Sequence, residues 1–323
     1  SSHKHPYKQK KWQGINIIHK YCPENFVGSF GQFIYDLNCI WDSRNELFDV
    51  VINLGYTSSS IWLKLFPPTT FIITNMDGLE WKRTKYNKFV RKFLMYAEKK
   101  AVKNSHLLVA DSIAIKNYLE KKYSVQAEYI AYGADLFVNP NIEYLLPFKA
   151  TAYQYNILVA RMEPENNIEL ILDGVVKSSS KLPFYVVGNT KNKFGTYLLS
   201  KYSNENRIVF TGPIYDYHVI NNLRYFSNLY FHGHSVGGTN PSLLESMACG
   251  CLIAAHNNEF NRSVLNENAY YFQNSDEIKV LLESVVRNSE QNKNNVENNY
   301  IKVKTDYSWA KIVRQYEEIV KRR

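Results

Sequence analysis

The residues best able to do chemistry stand in one run, Leu229-Tyr-Phe-His-Gly-His-Ser-Val-Gly-Gly-Thr-Asn-Pro-Ser-Leu-Leu-Glu-Ser-Met-Ala-Cys-Gly250. An apolar strand ending near His232 enters a loop in which Gly233, Gly237 and Gly238 permit irregular turns. Asn240 suits an N-cap, Pro241 the first helical position and Gly250 the position just past the helix end. The run therefore reads as strand, glycine-rich loop and helix. Amides of Gly237, Gly238, Thr239 and Asn240 at such a helix start, helped by the helix dipole, form an anion site that fits a diphosphate. The same string would also serve as a plain turn between strand and helix. Glu245, one turn further in, can accept hydrogen bonds from ribose hydroxyls. A second candidate is Arg161, at the carboxyl end of the apolar run that starts at Ile157, the edge where ligands bind in open α/β sheets. Its guanidinium would hold a diphosphate in a two-point grip, or else pair with Glu163 or Glu165. His232 and His234 have no third metal ligand nearby, so polar or packing roles are expected of them.

Such residues need strands to carry them. Apolar runs at Ile15–His19, Asp49–Leu54, Phe71–Thr74, His106–Ala110 and Ala127–Ala131 alternate with helical stretches, and a second series follows at Asn156–Ala160, Phe184–Val187, Ile208–Phe210, Leu229–Phe231 and Leu252–Ala255. That alternation predicts parallel sheets covered by helices, an α/β protein. A chain of 323 residues, 45% of them hydrophobic, exceeds the ~250–300 residues at which single cores stop growing, so two domains are expected. The stretch Leu145 to Thr151 has neither period and contains Pro147, which places the boundary at 149/150. The Asn-rich tract Asn288 to Asn299 reads as a loosely ordered helix or loop. Trp309, Ile312, Val313, Tyr316, Ile319 and Val320 recur at helical spacing, so residues 305–323 form a terminal helix that needs a groove to bury it.

The formal charge of +9 is unevenly placed, with a net +7 in residues 1–150 and +2 in the remainder. Most of the surplus falls in Lys82 to Lys103, where nine Lys and Arg face Glu98 alone and Trp81, Phe89, Phe93, Met95 and Tyr96 are interleaved. That composition suits either an amphipathic helix on an anionic lipid surface or a solvated helix whose aromatics belong to the core. No apolar run reaches the ~20 residues of a transmembrane helix. The four cysteines form no C-x-x-C pair, and Cys249-Gly250-Cys251 is too tight for an ordinary disulfide, so reduced thiols in a cytoplasmic protein are expected.

Taken together, the motifs resemble glycosyltransferase family 4, the retaining nucleotide-sugar transferases of the GT-B fold, across most of the chain. The Arg161 segment is similar to the arginine-bearing first strand of that family's donor domain. Val187-Gly188-Asn189 resembles its Val-Gly-Asp/Asn turn, Phe210-Thr-Gly212-Pro213-Ile214 its base-contacting loop, and Leu244-Glu245-Ser-Met-Ala-Cys-Gly250 its Leu-Glu-Ala-Met-Ala-x-Gly helix. In the first half, Phe71-Ile-Ile-Thr-Asn-Met76-Asp77-Gly-Leu-Glu80-Trp81 is similar to the acceptor-side strand end, and Ala110-Asp111-Ser112 and Ala131-Tyr132-Gly133-Ala134-Asp135 match two further turns. The string from His232 to Glu245, with Asp77, Glu80 and Trp81, looks like the bacterial rhamnosyltransferase subgroup of capsule and O-antigen synthesis.

The resemblance implies two Rossmann-like domains facing a cleft, an acceptor domain over 1–149 and a donor domain over 150–304, with the terminal helix packing back on the first. It also implies a truncated start, since nothing like the family's first strand and Gly-Gly loop precedes Ile15, leaving roughly 40–50 residues missing on the length of a βα unit. Three positions depart from the pattern. Gly237 stands eight before Glu245 in place of the family's first glutamate, so His234 or Ser235 must replace it; Asn166 stands for the diphosphate lysine; Met76 stands for a histidine and shifts weight to Asp77.

A mechanism follows from the resemblance. Arg161 and the loop amides stabilise the leaving diphosphate, Asp77 and His234 flank the reacting sugar, and Glu80 and Trp81 face the acceptor. Helix capping is the other reading of Asp77 and Glu80. No two aspartates lie at i, i+2, which argues against an Asp-x-Asp metal site, so neither metal nor cofactor is expected beyond the nucleotide-sugar substrate. The acceptor expected is a polyprenyl-linked or other oligosaccharide at the inner face of the plasma membrane, and no nucleic acid. A nucleotide-sugar epimerase of the same fold, a non-catalytic basic nucleic-acid binder and a catalytically dead scaffold are the competing readings.

Overall fold

The computed structural model describes residues 1–83, 86–285, 287 and 289–322. The chain opens in a small antiparallel hairpin, β1 (Lys11–Trp12) and β2 (Ile15–Asn16), with Lys11 opposite Asn16. Its turn, Gln13-Gly14, has positive φ at both residues (47° and 85°), the two-residue geometry that matches strand twist. The expected strand over Ile15–His19 is corrected accordingly. Only two of those residues pair, and they lie exposed, because the adjacent turn captures them locally and no sheet covers them.

The first sheet is parallel, in the order β3 (Val50–Leu54), β4 (Phe71–Asn75), β5 (Leu107–Ala110) and β6 (Glu128–Tyr129). The second comprises β7 (Asn156–Val159), β8 (Phe184–Val187), β9 (Ile208–Gly212), β10 (Leu229–His232), β11 (Ile253–His256) and β12 (Tyr270–Phe272). Its order is β12-β11-β10-β7-β8-β9, all parallel. From β7 the chain moves outward through β8 and β9, then returns to the other side of β7 with β10. The strand order therefore reverses between β7 and β10, and in open parallel sheets a crevice opens beyond the carboxyl ends at that reversal. β12, at three residues, is too short to show a period in the sequence.

Both sheets share one continuous core. Ile73 and Val109 of the first, Ile157 and Tyr230 of the second, and Ile312 and Ile319 of the last helix (Trp309–Lys321) belong to a single buried cluster. That helix lies on the turn after β6, where a Cβ on Gly133 would come within 2.6 Å of the Trp309 ring, and Arg322 pairs with Glu128 at 2.7 Å. Between the sheets, the stretch read as irregular is a 3-10 helix, Ile142–Phe148, that tolerates Pro147 and buries Leu145.

The Asn-rich tract is a helix, Glu290–Asp306, and more firmly placed than expected. Asn292 and Asn299 are buried; Asn292 accepts from the Tyr270 hydroxyl at 2.9 Å, and Asn299 donates to the Asn268 carbonyl at 2.8 Å. Asn288 lies outside the described residues. In the basic segment, a helix runs from Lys88 to Asn104 and is capped by Asn87, whose side chain accepts from the amides of Phe89 and Val90; Lys85 lies outside the described residues. No helix among the described residues is long and apolar enough to cross a membrane.

Candidate active site

A cleft of about 710 Å³ opens at the strand reversal. That size lies within the range of small-molecule sites, ~300–1,000 Å³. Of the residues singled out in the sequence, Arg161, Gly188, Pro213, Ile214, His234, Asn240 and Glu245 line it. They reach it from the ends of four different strands, β7, β8, β9 and β10, so the parallel sheet is what gathers them.

Arg161 follows β7 and is exposed, and among the described residues no ion pair joins it to Glu163 or Glu165. Its backbone is held by Asn166, whose amide nitrogen donates to the Arg161 carbonyl at 2.7 Å. The Asn166 oxygen is then left to face Nδ1 of His234 at 2.9 Å, which makes Nδ1 the protonated ring nitrogen. Asn166 thus ties the β7 loop to the β10 loop. At the end of β8, Gly188 passes so close to β7 that a Cβ would sit 2.1 Å from the Ala160 carbonyl oxygen, and no other residue fits there. Burial, with Arg83 and then Arg161 nearby, pushes the His234 imidazole down to about 4, so it is neutral at pH 7. His232, buried and with its ring centroid 6.1 Å from that of His234, is pushed down to about 3 by burial and by His234.

The helix after β10 runs Pro241–Ala248 with Asn240 as N-cap and Pro241 at its first position, as its sequence implies. The amides of its first turn are engaged within the cap: Ser242 N donates to Asn240 Oδ1 at 2.9 Å and Leu243 N to the Asn240 carbonyl at 3.0 Å. What the helix start offers the cleft is therefore its dipole field more than those two amides. Glu245 is half exposed to the cleft, and its Oε2 accepts from Arg224 Nη2 at 2.6 Å. Arg224 is buried and also bonds Asn221 Oδ1 at 3.0 Å and Ser242 Oγ at 3.3 Å. Nothing in the sequence singled out Arg224, because its partner lies 21 residues on and meets it only through the fold.

Gly212, Gly237, Gly238 and Thr239 are expected to bind the donor, yet none lines the cleft. Gly212, at φ +76°, turns the chain so that Pro213 and Ile214 reach it. Gly237 to Thr239 lie at the crossing between the two sheets. Thr239 Oγ1 donates to the Asp111 carbonyl at 2.6 Å, and the Asp111 carboxyl lies against Gly238. Burial, with Asp77 adding its charge, raises the Asp111 carboxyl to about 8.

The three candidates of the first domain, Asp77, Glu80 and Trp81, also lie off the cleft lining. Asp77 is exposed and accepts from the Tyr132 hydroxyl at 3.0 Å. Glu80 pairs with Arg83 at 2.7 Å. Trp81 is partly buried, and its ring nitrogen donates to buried Glu98 at 2.9 Å. Glu98 also gathers Tyr118, Lys122 and Tyr123, so this indole is a structural anchor. Neither Asp77 nor Glu80 caps a helix: Leu79 and Asn87 hold the two cap positions. Among the described residues no group of three His, Cys, Asp or Glu could hold a metal ion.

Residues 148–302 match the family model described as glycosyl transferases group 1, and residues 68–135 match a domain of unknown function, DUF1972. No curated protein matches the chain in sequence. Sucrose-phosphate synthase from Thermosynechococcus elongatus is similar in structure, at 15% identity over 95% of this chain and 80% of that one, with a TM-score of 0.76. Alr3699/HepE from Anabaena, crystallised with UDP and glucose, is similar at 14% identity over 95% and 87%, with a TM-score of 0.77. A glycosyltransferase from Rickettsia africae ESF-5 aligns at 15% identity over 95% and 85%, with a TM-score of 0.68. The chain has the GT-B fold, and its residues 148–302 match the model of the glycosyl transferases group 1.

Proposed function

We propose that the protein is a retaining, metal-independent glycosyltransferase that moves a sugar from a nucleoside diphosphate to a polyprenyl-linked or oligosaccharide acceptor in bacterial surface polysaccharide synthesis. The first candidate donor is dTDP-L-rhamnose, on the resemblance of the run from His232 to Glu245. One observation carries the reading: an exposed guanidinium, Arg161, and a half-exposed carboxylate, Glu245, line one cleft at the strand reversal. That pairing matches a ligand with a diphosphate and a ribose. Anabaena Alr3699/HepE, with the same fold, was crystallised with UDP-glucose, which supports a nucleotide-sugar in this cleft.

Transfer needs negative charge stabilised on the departing phosphate and an acceptor hydroxyl held on the same face. Arg161 and the dipole of helix Pro241–Ala248 serve the first need; Asp77, at the crossing between the domains, serves the second. His234 is held neutral and oriented by Asn166, so it contributes a polar wall without adding charge beside the reacting sugar. The first domain would dock on anionic lipid at the cytoplasmic face. In its helix Lys88–Asn104, Phe89 is 85% exposed among lysines, which suits an aromatic anchor in a basic surface.

A thermal-shift panel of dTDP, UDP and GDP tests the donor. Stabilisation by dTDP above the others is expected, and no shift with any nucleotide rejects the reading. Release of free nucleotide that requires added acceptor separates transfer from epimerisation. Co-sedimentation with anionic but not neutral vesicles tests the membrane contact.

A further inference from the structure

Glu245 lines the cleft with its two carboxylate oxygens in different states. Oε2 accepts from Arg224 Nη2 at 2.6 Å, whereas Oε1 has no partner among the described residues, and half of the side chain is open to the cleft. A short, charge-assisted bond occupies Oε2 and leaves Oε1 as the acceptor that a ligand can reach.

Arg224 has little freedom to release that oxygen. It stands on the helix Tyr217–Tyr225, with 4% of its side chain exposed, and it also donates to Asn221 Oδ1 at 3.0 Å and to Ser242 Oγ at 3.3 Å. Ser242 is pinned in turn, its hydroxyl 2.8 Å from that of Tyr230 on β10 and 3.3 Å from the carbonyl of Val159 on β7. Among the described residues Glu245 is the one carboxylate paired with Arg224. Swinging it round to offer both oxygens to a ligand would strand a buried guanidinium, which is strongly unfavourable.

Ribose carries two neighbouring hydroxyls, and a carboxylate with both oxygens free can accept from both at once. A carboxylate with one oxygen engaged accepts from one. We infer that Arg224 is a positioning residue that commits Glu245 to a single ribose hydroxyl, the 3′, so that the cleft takes ribose and 2′-deoxyribose nucleoside diphosphates alike. The choice of the 3′-hydroxyl follows from the thymidine donor proposed above, which carries no other, and the inference rests on that nucleotide-sugar reading.

Calorimetry on the full chain tests it with one base throughout, comparing UDP, 2′-deoxy-UDP and 3′-deoxy-UDP. The parent should bind UDP and 2′-deoxy-UDP within about twofold of each other, and 3′-deoxy-UDP about tenfold more weakly. Arg224→Gln frees Oε2 and should open a gap of about fivefold between UDP and 2′-deoxy-UDP, whereas Arg224→Lys keeps a cation beside Oε2 and should hold the two within about twofold. A ratio of two ligands on one variant does not move with a general loss of folded protein. A parent that loses about tenfold with the 2′-hydroxyl, or that binds 3′-deoxy-UDP as tightly as UDP, overturns the single-hydroxyl grip while leaving the nucleotide site standing. Those parent ratios decide the grip even where Arg224→Gln does not fold, and a parent-like ratio in a folded Arg224→Gln overturns the role of Arg224. A parent that binds none of the three overturns the nucleotide-sugar reading, and this inference with it.

Discussion

The carboxyl group of Asp111 fills the space that a side chain at Gly238 would need: a Cβ there would lie 1.8 Å from Oδ1 and 2.1 Å from Oδ2. Asp111 is buried and its backbone carbonyl is bonded to Thr239, so its carboxyl has little room to turn aside. Gly238→Ala should therefore force the two domains apart at the crossing. Transfer should fall by about tenfold or more, since a small misplacement of reacting groups costs that much or more. Steady-state kinetics on a variant with a retained cooperative melt checks this, and parent-like turnover refutes it.

The same aspartate makes stability depend on pH. Its folded carboxyl is raised from 3.8 to about 8, so between those values the folded protein holds a proton that the unfolded chain has lost. The contribution is fully present below about pH 4 and is lost as pH rises through about 8. The groups facing it, Asp77, Tyr129, Tyr132 and Tyr316, add no positive charge to reverse the sign. Thermal melts should fall across this window in the parent. Asp111→Asn should flatten the profile and raise the melting point at pH 9 by roughly 2 °C or more.

Glu245 has two roles that a pair of substitutions can separate. Glu245→Gln keeps an acceptor for Arg224 and should weaken UDP and dTDP binding through loss of a charged partner for the ribose. Glu245→Ala should in addition strand the buried guanidinium. The cost in urea denaturation should be about 1–3 kcal/mol, below the value for a fully buried pair because Glu245 is half exposed. Identical stability in the two variants would show that Arg224 does not depend on this partner.

Arg161 should behave in the opposite way. It is exposed and forms no ion pair among the described residues, so Arg161→Ala should leave the melting point within about 1 °C. Transfer should lose about 2–4 kcal/mol of transition-state stabilisation, read as kcat/KM. An unchanged kcat/KM would remove Arg161 from the site.

Close approach at Gly188 predicts a structural effect without a chemical one. Gly188→Ala pushes a methyl against the Ala160 carbonyl, a backbone group that cannot rotate away. The variant should be destabilised by about 1–3 kcal/mol, as in other overpacked interiors. A parent-like melt would show that β7 and β8 can separate locally.

The sequence by itself determined the parts whose signals are local. Alternating apolar runs marked nearly every strand of both sheets, and Asn240 with Pro241 marked a helix start, because strand periodicity and capping depend on residues within a few positions of one another. Arg161 was legible for the same reason: a lone guanidinium at the end of an apolar run stands at a sheet edge in any parallel α/β fold. Strand order was not legible, and it decides the site. Only with β10 seated beside β7 do Arg161, His234 and Glu245 share one cleft. Pairings across long stretches of chain were hidden as well. Arg224 with Glu245, Trp81 with Glu98, and Asp111 with Gly238 are contacts between residues that no local pattern links. Each arises when two elements pack and the buried polar group must find a partner or exclude a side chain, a constraint imposed by burial and therefore set only by the tertiary structure.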